Sequence, residues 1–259
     1  STITQQIVMN AGMDRLDLPT WVDWQEVGVG KELTPLLRMA VEAKGEGQTA
    51  TYEIPFAAIS RPANGAEGVA LKSADLSTPD GGITLLNDCK SGHSADGSVL
   101  RVSLLRASDN PDQMPDQRLH SIGLALWPHA GSYGAAAMRV GFDWNQPLLA
   151  TRAPYAAKNE LPGAMSFVEV AGDSVIGTVL KRPEDDPRGL LVRLFEADGR
   201  PASATVKAPP TLATNRRVNF VEDPLSVPAK GSDVSLSLRG YDIVSLMFGA
   251  DSGRKTVSK

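Results

Sequence analysis

Residues 83 to 108 of this 259-residue chain, ITLLNDCKSGHSADGSVLRVSLLRAS, hold its only cysteine, one of its three histidines and an Asp-Gly pair between two apolar runs. Asn87, Asp88, Cys89, Lys90 and His93 are the residue types from which a nucleophile, a base and their polar partners are made. The surroundings of Cys89 match no papain-like or caspase-like signature, and the chain has no G-x-S-x-G turn. Cys89 therefore reads as a small buried residue or an idle loop thiol. Asp96-Gly97 is turn chemistry, so the stretch is expected to be a hairpin with a long connection between strands at 83–88 and 99–105.

The remaining chemistries fare no better. His120 and His129 are nine residues apart, and an odd separation puts them on opposite faces of a continuous strand, although Pro128 interrupts the pattern. HExxH and paired Cys/His spacings are absent, so no protein-only zinc site is expected and no residue is assigned to a metal. Neither a Walker sequence nor a G-x-G-x-x-G is present to cradle phosphate. Glycoside hydrolysis needs two carboxylates about 5 to 9.5 Å apart, which counting 30 acidic residues neither supplies nor denies. The densest acidic cluster, Glu184-Asp185-Asp186, lies between prolines and reads as a solvated turn. Trp21 and Trp24 stand three apart, on opposite faces of a strand, and form no common sugar platform. No residue is assigned a catalytic role.

The elements that must position these groups are strands. Short runs alternate with period two between clusters of Gly, Pro, Asn and Asp, and no segment sustains a helical apolar stripe for three turns. Val234, Leu236 and Leu238 oppose Ser235, Ser237 and Arg239, the pattern of a half-buried antiparallel strand. The spacing predicts further strands at 2–9, 22–27, 36–43, 51–56, 83–86, 99–105, 119–127, 166–170, 175–180, 190–195 and 244–248. A single helix is expected around 131–141, where Ala135, Ala136, Ala137 and Met138 have the propensity. Asn145 to Gly163, with three prolines and no alternation, is the expected boundary, giving a large β-sandwich domain over 1–155 and a smaller one over 156–259.

Charge narrows the partners. The net charge is −4, from 26 basic and 30 acidic residues, and no block of like charge marks a surface for nucleic acid or anionic membrane. No apolar run approaches the ~18 residues of a membrane span, and the first residues show no signal-peptide pattern. One cysteine makes no internal disulfide, which fits a reducing, cytoplasmic compartment.

Several segments together resemble the C-terminal β-region of glycoside hydrolase family 38, the α-mannosidases. They are RLDLPTWVDWQE at 15–26, TYEIPFAAISRP at 51–62, SADLSTPDGGITLLNDCKSG at 73–92, GSVLRVSLLRAS at 97–108 and PDQMPDQRLHSIGLALWPHAGSY at 111–133. NQPLLA at 145–150, SFVEVAGDSVIGTVLKRPEDD at 166–186 and LLVRLFEADGR at 190–200 follow in family order. The resemblance implies an all-β, antiparallel sandwich of the galactose-mutarotase-like supersandwich type, followed by a smaller β-sandwich. It also implies that the aspartate nucleophile and the zinc ligands belong to an α/β barrel outside this chain. Beginning at Ser1 within a predicted strand, the chain is then expected to be a part or separate polypeptide of a retaining α-mannosidase, inactive alone and carrying no cofactor. Its implied partners are that barrel and mannosides; a docking face left bare would also permit homo-oligomers. The resemblance assigns Arg106 to substrate binding, or to gripping a barrel carboxylate, and Asn87, Asp88 and Lys90 to ordering the loop beside it. Ser91 and Arg118 stand where family members commonly carry Tyr and Gly, which predicts altered loop geometry at both positions. The competing expectation is an autonomous carbohydrate-binding module on the same fold.

Overall fold

The computed structural model describes residues 1–29, 34–45, 47–112, 114–152 and 162–250. The chain divides into two compact units, 1–147 and 148–259; the expected boundary at 155/156 lies outside the described residues. Every strand pairing in both units is antiparallel.

The first unit is built on a six-stranded sheet. Its strands, in spatial order, are β2 (Leu16–Asp17), β13 (Leu124–Ala130), β9 (Gly81–Asn87), β8 (Ser73–Thr78), β5 (Thr49–Ile54) and β6 (Ala57–Arg61). A four-stranded sheet has the order β4 (Leu36–Glu42), β11 (Val99–Arg106), β10 (Gly92–Asp96) and β7 (Asn64–Val69). A three-stranded sheet joins β1 (Thr2–Gln5), β3 (Thr20–Asp23) and β12 (Leu119–Ile122). One core takes Tyr52, Ala74, Leu76 and Leu85 from the six-stranded sheet, and Ala95, Leu100, Val102 and Leu104 from the four-stranded one. These residues alternate along their strands, so each sheet gives one apolar face to the sandwich. Burying each such leucine stabilises by about 1.5–3 kcal/mol.

The opposite face of the six-stranded sheet is covered as well. Helix α1 (Ala135–Asn145) lies against β8 and β9 and buries Ala137 and Met138. It begins four residues later than expected from the alanine run, behind Gly134, whose extended backbone caps it without a side-chain bond.

The second unit is a smaller sandwich. A three-stranded sheet, β14 (Glu169–Ala171), β17 (Ala202–Lys207) and β20 (Asp233–Leu238), forms one layer. The other layer is five-stranded: β15 (Val175–Lys181), β16 (Leu190–Glu196), β21 (Ile243–Gly249), β18 (Thr214–Val218) and β19 (Ala229–Lys230). Leu190, Val192 and Leu194 on β16, with Val244, Leu246 and Phe248 on β21, meet Ala204, Val206, Leu236 and Leu238 of the smaller sheet. The alternation read at 234–239 thus buries Leu236 and Leu238 and exposes Ser235 and Ser237.

Two expectations need correcting. The run 119–127 is two strands in different sheets, β12 pairing with β3 and β13 with β9, because the chain breaks step at Gly123. A Cβ there would lie 2.6 Å from Asp88 Oδ2 and 3.0 Å from the Trp144 ring, so only glycine permits the approach. The second correction concerns 83–105. β9 and β11 do not pair; Asp96-Gly97 joins β10 to β11, and Gly97 takes the left-handed conformation at φ 55°. The segment between Asn87 and Val99, read as a long connection, contains a strand of its own.

Candidate functional site

Arg106 is placed by an irregularity. Leu100, Val102 and Leu104 point into the core, and an unbroken period of two would send Arg106 after them. The pairing of β11 with β4 slips between Ser103 and Leu105, so Leu104 and Leu105 are both buried and Arg106, opposite Leu36, faces outward. A bulge re-aims the side chain at the strand's end. Among the described residues the guanidinium has no hydrogen bond or ion pair; neither Asp109 nor Asp112 holds it.

Beside it lies a depression of about 340 Å³ on the outer face of the four-stranded sheet, lined by Leu36, Arg38, Glu67, Ser103 and Arg106 among others. Its floor is linked: Arg38 Nε donates to Ser103 Oγ at 3.2 Å, and Ser103 donates in turn to Glu67. Arg38 Nη2 also stands 3.8 Å from Glu67 Oε2. The depression therefore offers one fixed carboxylate, one fixed hydroxyl and two guanidinium groups, a set suited to a polyhydroxylated ligand or a carboxylate.

The 87–91 loop does not line the depression; its bonds run elsewhere, and only Gly92 at its end approaches Glu67 and Ser103. Asn87 is buried; its Nδ2 donates to Leu71 O at 2.9 Å and its Oδ1 accepts from Lys90 N at 2.7 Å. Asp88 Oδ2 accepts from Gly123 N at 2.9 Å, and Asn145 Nδ2 donates to Asn87 O at 3.2 Å. The loop leaves through Gly92, where a Cβ would stand 2.7 Å from Glu67 Oε1 and 3.3 Å from Ser103 Cβ. Glycine at 92 thus leaves room for the Ser103–Glu67 bond. Lys90 is half-buried and contributes its backbone N–H to the turn.

Cys89 is exposed, but desolvation of the sulfur and the adjacent Asp88 carboxylate push its thiol up to about 11. It is protonated at neutral pH and makes a poor nucleophile. Arg118 has no positive φ, whereas Asp116, two residues earlier, has φ 61°. Aspartate is among the residues that tolerate this conformation.

The three histidines occupy separate sites. His93 is buried, and burial pushes its pKa down; Nδ1 lies 3.2 Å from Ser91 O while Nε2 has no hydrogen-bond partner. His120 Nε2 lies 2.7 Å from Asp116 O. His129 belongs to a buried polar layer that the sequence pattern did not disclose. There, Asp75 accepts from Ser77 Oγ at 2.5 Å and Thr84 Oγ1 at 2.8 Å, and lies 2.8 Å from His129 Nε2. Tyr133 hydroxyl and Glu53 Oε2 hold Ser73 Oγ at 2.9 and 3.1 Å, and Lys72 Nζ reaches Glu53 Oε1 at 2.5 Å. Among the described residues no three His, Cys, Asp or Glu side chains come together as a metal site.

Two antiparallel β-sandwiches, the first with a polar depression at a bulged strand end, make up the described residues. Residues 1–114 match the glycosyl hydrolases family 38 C-terminal domain, and residues 174–246 match the glycosyl hydrolases family 38 C-terminal beta sandwich domain. The chain belongs to glycoside hydrolase family 38, as its C-terminal β-region. It is 35% identical over 210 residues to human alpha-mannosidase 2C1, covering 77% of this chain and 19% of that protein. To the Saccharomyces cerevisiae alpha-mannosidase it is 28% identical over 243 residues, covering 83% and 21%. The chain therefore spans about a fifth of the length of these relatives. The crystal structure of an alpha-mannosidase from Enterococcus faecalis V583 superposes over 95% of this chain and 28% of that one, with a TM-score of 0.76 at 16% identity. That likeness extends the fold agreement across both units. No helix among the described residues is long and apolar enough to cross a membrane.

Proposed function

We propose that this chain supports the catalytic α/β barrel of a retaining α-mannosidase and presents Arg106 at its substrate rim. The observation that carries the reading is the guanidinium turned outward by the β11 bulge, with no partner among the described residues, beside the Arg38–Ser103–Glu67 floor. A free fork of N–H donors held at a strand end binds sugar hydroxyls or a carboxylate bidentately. Asn87 and Asp88 serve the site by tying the neighbouring loop to the β7–β8 connection and to Gly123. The relatives named alpha-mannosidase support the reaction class, cleavage of α-mannosides, and the family resemblance implies the route through a glycosyl-aspartate on the barrel. With a single cysteine the chain forms no internal disulfide, and we assign it to a reducing compartment, the cytoplasm.

The test joins this chain to its barrel in the complete enzyme. Arg106→Ala is expected to lower kcat/KM for p-nitrophenyl α-mannoside roughly 10- to 100-fold, the worth of a charged hydrogen bond, and Arg106→Lys to recover only part. An exposed arginine should leave the melting temperature unchanged, so a loss of activity is read as a loss of contact. Unaltered kcat/KM in Arg106→Ala would refute its role at the rim. The 259-residue chain by itself is expected to give no turnover, and sustained hydrolysis by it would refute the division of labour.

A further inference from the structure

A second candidate ligand site lies in the second unit, formed by residues to which nothing above gives a role. A groove of about 400 Å³ opens beside the three-stranded sheet, lined among others by Met165, Phe167, Glu169, Lys207, Pro210 and Asp233. That volume is within the range of small-ligand pockets, about 300–1,000 Å³. Phe167 is 56% exposed and Met165 61%, so both offer apolar surface at the edge of the groove.

The polar half of the groove comes from strand register. Glu169 pairs with Lys207, and Lys207 with Asp233, so the three stand in one row across β14, β17 and β20. All three are exposed, on the face opposite Val206 and the sandwich core. With strands about 4.8 Å apart, the two carboxylates are roughly 10 Å apart at the backbone, with the ammonium between them. Lys207 Nζ reaches Glu169 Oε2 at 3.5 Å, and Ser232 Oγ donates to Asp233 Oδ1 at 3.3 Å. Both carboxylates retain free lone pairs for incoming donors. The next row repeats the pattern with hydroxyls, Thr205 opposite Ser235.

We propose that this groove binds a neutral hexopyranoside, its apolar ring face on Phe167 and its hydroxyls between Glu169, Lys207 and Asp233. Chemistry selects the ligand. A pyranose has one face of C–H groups for an aromatic ring and an equator of hydroxyls that donate to carboxylates and accept from an ammonium. A phosphorylated ligand is disfavoured, since two acidic groups face one lysine. A proline-rich peptide would use the same Phe167 and prolines and would need no carboxylate row. The site is independent of the Arg106 reading.

The experiment is an amide NMR titration of the whole chain with methyl α-D-mannopyranoside and methyl β-D-glucopyranoside, with a proline-rich decapeptide as competitor. Saturable shifts are expected at 165–169, 207–208 and 232–233. Phe167→Ala is expected to weaken binding about fivefold or more, Phe167→Tyr to retain it, and Asp233→Asn to weaken it. Both positions are exposed, so the variants should keep the wild-type melting temperature. Arg106→Ala should bind sugar here as the wild type does, which separates this proposal from that one. Absence of saturation with either glycoside, shifts confined to the first unit, affinity indifferent to Phe167→Ala, or saturation by the peptide alone would each overturn it.

Discussion

Asp75→Ala is expected to cost the first unit about 3–5 kcal/mol, because it leaves the His129 imidazole and two buried hydroxyls without their acceptor. Asp75 is fully buried and serves Ser77, Thr84 and His129 at once. His129 Nε2 faces that carboxylate, Nδ1 lies 3.3 Å from Ala130 O, and the ring stacks on Trp127 at 4.9 Å. Both ring nitrogens thus face acceptors, the arrangement of an imidazolium. Burial pushes the imidazole pKa down, but the Asp75 hydrogen bond and charge, with the carbonyls of Ala130 and Gly131, outweigh it and leave the pKa raised. A raised folded pKa means that the stabilisation is complete below the ordinary histidine value and is lost as pH rises through the higher folded one. Urea unfolding of the wild type, followed by amide exchange on β8 and β9, should therefore show stability falling as pH rises above the ordinary histidine value. Asp75→Asn, which keeps the shape and removes the charge, should flatten that fall. A cost below about 1 kcal/mol for Asp75→Ala, within the range of an ordinary surface change, would show that the layer does not hold the sheet.

Glu196→Ala should destabilise the second unit by about 3 kcal/mol, through the loss of one buried charged acceptor shared by four backbone donors. Glu196 Oε1 accepts from Asp198 N at 3.0 Å, and Oε2 from Gly199, Arg200 and Tyr241 N at 2.8, 3.1 and 3.1 Å. One carboxylate closes the turn after β16 and grips the turn before β21, where Tyr241 is held at φ 61°. Burial pushes the carboxyl pKa up; the Asp198, Tyr241 and Arg200 amides and the Ser174 hydroxyl overcome this and leave it lowered. A lowered folded pKa reverses the sign, so this contribution is present above the ordinary glutamate value and lost as pH falls through the lower one. The two units should thus lose these contributions in opposite directions, the first as pH rises and the second as it falls. Glu196→Gln should retain part of the stability and none of the acid dependence. An unchanged unfolding midpoint in Glu196→Ala would refute the assignment.

The all-β class, most strand positions and the family were legible because they rest on local signals: alternation, turn residues and family-like segments such as SADLSTPDGGITLLNDCKSG. Val234 to Leu238 reads correctly since one side of its sheet is wet, and polar residues there mark the solvent face. The 119–127 run misled because its apolar residues continue across Gly123, while the change of sheet depends on Asp88 and Trp144 from distant parts of the chain. Arg38, Glu67 and Ser103 carry no motif; they meet only through the register of β4, β7 and β11.

By itself, then, the sequence determined an antiparallel β-architecture of family 38 and named Arg106 as a residue to watch. Tertiary structure decided which way Arg106 points, since a one-residue slip against β4 reverses every side chain beyond it. It also decided that Ser73, Asp75 and Ser77 are dry. Along β8 they alternate with Ala74 and Leu76 as a solvent-facing set would, yet α1, His129 and Tyr133 cover them. Alternation reports that the two faces of a strand differ; whether the polar face meets water or other polar groups depends on what packs over it, and that is a property of the whole fold.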